Sequence, residues 1–83
     1  MDKILTQRER DILKIIGRRY VGLALIASEL FRRSESKPFD PEITVNNSIK
    51  RIIRKCKLNK LDWTLERNKV GNKLLIKKIK VEA

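Results

Sequence analysis

Between Thr44 and Lys57 the apolar residues are spaced so that only one local structure buries them together. Val45, Ile49, Ile52, Ile53 and Cys56 fall on a single side of a helix turning ~100° per residue. The opposite side then carries Thr44, Asn47, Arg51 and Arg54, flanked by Lys50 and Lys55, with Lys57 following. This pattern predicts a helix over about 41–57. Asp40 offers an N-cap with Pro41 at the first helical position, Thr44 is a second possible cap, and Asn59 is a terminator. A helix with an apolar back and a cationic front cannot stand alone, because its back has to be covered by other elements.

The segments before it supply that cover. Thr6-Gln7-Arg8-Glu9 has the form of a capping box, and Ile12, Leu13, Ile15 and Ile16 follow on one face that Tyr20 continues. A first helix is expected over about 7–19, then a short connection, Tyr20-Val21-Gly22, with Gly22 free to take a positive φ. Leu23, Ile26, Ala27, Leu30 and Phe31 recur at helical spacing and predict a second helix over about 23–33, with the small Ala27 permitting close approach of another helix. Ser34-Glu35-Ser36-Lys37-Pro38-Phe39 reads as a loop, with Phe39 expected to fold back onto the core.

Past the third helix the pattern changes. Trp63 to Arg67 alternates, Asn68-Lys69-Val70-Gly71-Asn72 is turn-like, and Lys73 to Ile79 is strand-like with weak alternation. A β-hairpin is expected over about 62–80, with its register open. The expected fold class is therefore α+β: one domain spanning 1–83, a three-helix helix-turn-helix core with a C-terminal hairpin wing, the winged-helix layout.

Charge gives this layout a direction. The chain holds 21 basic and 10 acidic residues, a formal +11 with a pI near 10.3. Residues 1–42 carry nine basic and seven acidic side chains, and residues 43–83 twelve and three. A polyanion facing the second half is the natural inference. The major groove of B-DNA, ~12 Å wide, admits one α-helix. Asn47 and Arg51 suit base edges, since amide and guanidinium groups bond bidentately to adenine and guanine. Thr44, Lys50, Arg54, Lys55 and Lys57 complete the helical contact set, the cations suiting phosphates, which position without specifying. Arg67, Lys69 and Lys73 on the hairpin would reach adjacent backbone or minor groove, with Gly71 allowing a sharp turn.

Several stretches resemble a known class. Leu5-Thr6-Gln7-Arg8-Glu9-Arg10-Asp11-Ile12-Leu13 resembles the opening "L-T-x-R-E-x-x-[VI]-L" of bacterial response-regulator output domains, and Ile26-Ala27-Ser28-Glu29-Leu30 their second-helix "I-A-x-x-L". The stretch from Thr44 to Lys55 is similar to their recognition helix, with Ser48 where a His is usual. The helix motifs are nearer the GerE/LuxR type. The long connection before Thr44 and the terminal hairpin are nearer the OmpR/PhoB type. Both resemblances imply sequence-specific DNA binding by a transcriptional regulator.

Enzymatic function is not expected: there is no histidine, no glycine-rich phosphate loop and no carboxylate pair placed for acid and base roles. No metal or cofactor is expected either. Cys56 reads as a small buried hydrophobe and Trp63 as a core or hinge residue. The expected partner is double-stranded DNA, with a second copy of the chain on the DNA and RNA polymerase as further partners, and no membrane. Met1 to Leu5 lacks the apolar run of a secretion signal, which leads to a cytoplasmic expectation. Two alternatives stay open: an RNA-binding or ribosome-associated basic protein, and a winged-helix interaction module of a polymerase or replication assembly.

Overall fold

The computed structural model describes residues 4–32 and 39–81. Helix α1 spans Gln7–Ile16, strand β1 Val21–Gly22, helix α2 Leu23–Phe31, helix α3 Pro41–Leu58, strand β2 Trp63–Val70 and strand β3 Lys73–Lys80. The sheet is antiparallel in the order β1-β3-β2, so the described residues form an α+β arrangement of three helices and three strands. Among the described residues no helix is long and apolar enough to cross a membrane.

The capping box forms as the sequence predicts. Thr6 Oγ1 accepts from the Glu9 amide at 3.2 Å, and Glu9 Oε1 accepts from the Thr6 amide at 2.8 Å. Helix α1 stops at Ile16, short of the expected residue 19, because Gly17 takes φ 61 and its N–H closes onto Leu13 O at 3.1 Å. Gly17 therefore has the left-handed role expected of Gly22, whose φ is −66. The connection expected at residues 20–22 contains β1. Val21 pairs with Ile76 and Gly22 with Leu75, which makes β3 the central strand.

Helix α3 begins as anticipated, with Pro41 in its first turn and the Asp40 carboxylate accepting from the Ile43 amide at 3.1 Å. Its end is a Schellman closure. Leu61 N–H bonds to Cys56 O at 2.9 Å and Lys60 N–H to Lys57 O at 3.3 Å, with Lys60 itself at φ 52. Asn59 adds its Nδ2 to Lys55 O at 2.8 Å. This closure brings Leu61 back against the core and aims the chain into β2 at Trp63. The two-residue hairpin loop has Gly71 at φ 62 in its first position, a backbone twist matched to the flanking strands.

The core collects Ile12 and Ile16 of α1, Ile26, Ala27 and Phe31 of α2, and Val45, Ile49, Ile52 and Cys56 of α3. Val21, Leu65 and Ile76 cover it from the sheet. Helix α3 packs on α2, α1 and β2. Phe39 departs from expectation: it is fully exposed, beside the Asp40 cap and outside the core. The remainder of the expected loop, residues 34–38, lies outside the described residues, as does residue 33 at the expected end of the second helix.

Candidate nucleic-acid interface

Burying Val45, Ile49, Ile52 and Cys56 fixes the rotation of α3, and that rotation decides which side chains reach solvent. Asn47, Lys50, Arg51, Arg54 and Lys57 are all exposed. Thr44 is half-buried, and its hydroxyl donates to Asp40 O at 3.1 Å, so it belongs to the helix start. Ser48 is buried and donates to Thr44 O at 3.1 Å, which satisfies its hydroxyl within the helix.

Lys55 departs from the outward phosphate role expected of it. Its ammonium turns toward α1 and meets Glu9 Oε1 at 2.7 Å, where the carboxylate side chain is 4% exposed. Burial alone would raise the Glu9 pKa, but bonds from Lys55 and Thr6 outweigh it and hold the carboxyl below its ordinary value. The reason is geometric: Lys55 lies on the flank of α3 nearest α1, roughly 90° from the centre of the buried stripe. Glu9 thus does two jobs, closing the capping box and tying α1 to α3.

The sequence reading also missed Ile43. It is 58% exposed, one turn before Asn47, and lies on the solvent side with Asn47 and Arg54. An apolar residue there offers a contact that the cationic pattern alone did not suggest. Its signal was its position outside the Val45 stripe.

On the hairpin, Arg67, Lys69 and Lys73 are exposed. In register, Arg67 opposes Ile76, Lys69 opposes Leu74 and Lys73 opposes Val70. Alternation therefore puts Arg67 and Lys69 on one face of the hairpin and Lys73 on the other. Asn72, Lys73 and Leu74 line a cleft with Leu23, Ala24 and Glu42. This sets the hairpin tip, with Lys73, beside the starts of α2 and α3. Behind the tip, Tyr20 donates to Glu66 Oε1 at 2.5 Å and Lys77 Nζ lies 5.2 Å from the Tyr20 ring centre. The bond to Glu66, followed by burial, pushes the tyrosine hydroxyl above its ordinary pKa.

Among the described residues no group of three or more His, Cys, Asp or Glu side chains converges to hold a metal. Burial pushes the Cys56 thiol up, which leaves it protonated and a weak nucleophile at neutral pH. No family model matches the chain, and searches of curated proteins and of solved structures return no match.

Proposed function

We propose that this chain is a non-enzymatic, sequence-specific binder of double-stranded DNA with a winged-helix architecture, acting as a transcriptional regulator. In this reading α3 enters the major groove and the β2–β3 hairpin is the wing, resting on adjacent backbone or minor groove. The carrying observation is the division of α3. Val45, Ile49, Ile52 and Cys56 of its apolar stripe are inside the core and Ile53 packs against it, while Asn47, Lys50, Arg51, Arg54 and Lys57 all stand outside it. The order helix, short strand, two helices, hairpin supports the same architecture, as does the resemblance to response-regulator output domains. Asn47 and Arg51, one turn apart, take base edges, and Ile43 offers its methyl groups to thymine. Lys50, Arg54, Lys57, Arg67, Lys69 and Lys73 hold phosphates. Lys55 is kept from this set by Glu9.

The test begins with selection of a preferred site from random duplexes. Asn47→Ala and Arg51→Ala are then compared on that site and on unrelated DNA. Each should lose about 1–3 kcal/mol on the preferred site and much less elsewhere, with melting unchanged. Equal losses on both duplexes would reduce the residue to a phosphate contact, and the absence of any preferred site would overturn the reading.

A further inference from the structure

The residues assigned to duplex DNA leave a second cationic surface unexplained, at the base of the hairpin on the α1 side. Trp63 opens β2 opposite Lys80, and the Lys78 ammonium sits 4.8 Å from the indole centre. Two adjoining clefts meet at this ring. One is walled by Leu13, Lys14, Leu61 and Lys78, the other by Leu13, Arg18, Ile79 and Lys80. Among the described residues no Asp or Glu lines either cleft, and none of Asn47, Lys50, Arg51 or Arg54 does. Lys14, Arg18, Lys78 and Lys80 are exposed, while Trp63 is only partly buried against the core.

An indole in a recess rimmed by cations matches the two requirements for holding a single strand: an electrostatic track for the backbone and a flat apolar surface for a base. A double helix is too broad to enter such a recess and keeps its bases stacked inside. We propose that this cleft binds single-stranded nucleic acid. Lys14, Arg18, Lys78 and Lys80 hold successive phosphates, and one unpaired base stacks on Trp63 in the position of the Lys78 ammonium, which moves onto a phosphate. This goes beyond duplex recognition by α3 and does not depend on it.

The chain has one tryptophan, so its emission reports on this cleft alone. The whole protein is titrated with a short oligothymidylate, with an abasic phosphodiester of equal length and with heparin. Oligothymidylate should quench the indole, and the two base-free polyanions should not. Trp63→Ala should weaken oligothymidylate binding roughly 5- to 150-fold, read by anisotropy of a labelled strand. Replacing Lys14, Arg18 and Lys80 together by Ala keeps the indole and the core, and should lower the salt slope for the single strand by about two. That variant decides the matter if Trp63→Ala unfolds. Binding without quenching, equal quenching by the abasic chain, or an unchanged slope would overturn the proposal. Arg51→Ala should leave the quenching untouched, so a failure of duplex recognition would be seen separately.

Discussion

Replacing Glu9 by Gln keeps the side chain's size and an acceptor for the Thr6 amide, and removes the charge that faces Lys55. In the wild type that carboxylate accepts from Thr6 N at 2.8 Å and from Lys55 Nζ at 2.7 Å, with side chains 4% and 30% exposed. Removing one partner of a fully buried pair costs ~3–5 kcal/mol. Here the lysine reaches water and can rehydrate, so the loss should sit nearer that of a single bond to a charged group, about 1.5–3 kcal/mol. For a domain of this size that corresponds to roughly 6–24 °C in melting temperature. The sign of its pH dependence follows from the lowered Glu9 pKa. The carboxylate favours the folded state above the unfolded value near 4.5, and this advantage is lost as pH falls through the folded value. Thermal melts of wild type and Glu9→Gln should therefore differ fully at neutral pH and converge in acid, below about 4.5. Identical melts at neutral pH, or a gap that persists undiminished in acid, would refute the role given to this pair.

Further outcomes follow from the same geometry. Duplex affinity should fall with salt at a log–log slope of magnitude about 4–6, for roughly four to seven neutralised phosphates, as read by titrations at several salt concentrations; a slope near zero would exclude the backbone contacts. Lys69→Ala with Lys73→Ala should leave the melt unchanged, weaken all duplexes alike and cut that slope by up to about two; a changed site preference would place base reading in the hairpin. Ile52→Ala, at a fully buried position, should cost ~2–5 kcal/mol of stability in denaturant titrations, with any loss of binding following the loss of fold. Lys60→Gly, at the left-handed position ending α3, should raise stability by roughly 1 kcal/mol; a lower melting temperature would mean that the lysine side chain contributes more than its backbone strain costs.

What was legible in the sequence was whatever repeats or follows local chemistry. The α3 stripe, the Thr6–Glu9 box and the Asp40–Pro41 start are signals carried within a few neighbouring residues, and each appears as read. Strand β1 was not legible because two residues show no period, and Val21–Gly22 becomes a strand only through its pairing with Ile76 and Leu75. Lys55 was misplaced for a related reason. A helical wheel separates buried from exposed, but does not say that a carboxylate on another helix waits at the boundary. Phe39 shows the converse: hydrophobicity alone predicted burial, and the proline-led start of α3 leaves that side chain outside. Of the α3 cations that the sequence pattern puts on the surface, Lys50, Arg51, Arg54 and Lys57 are exposed and Lys55 is not free to face solvent, and the order of the hairpin cations became clear only with the strand register.

The placement of β3 at the centre of the sheet has a consequence for how the chain matures. Strand β3 follows all the other described elements in sequence, yet among the described residues β1 and β2 each hydrogen-bond to it and to no other strand. Until Lys73–Lys80 is in place, Val21 has no strand partner and Leu65 no opposite strand, so the sheet side of the core stays open to water. The helices can begin to form as they are synthesised, but the lid over Ile12, Ile49 and Ile52 closes by a contact spanning Val21 to Ile76, a large loop with a matching entropic barrier. Closure of the sheet thus waits for β3, and a chain stopped short at Val70 would present a basic, half-covered helical cluster to chaperones and proteases.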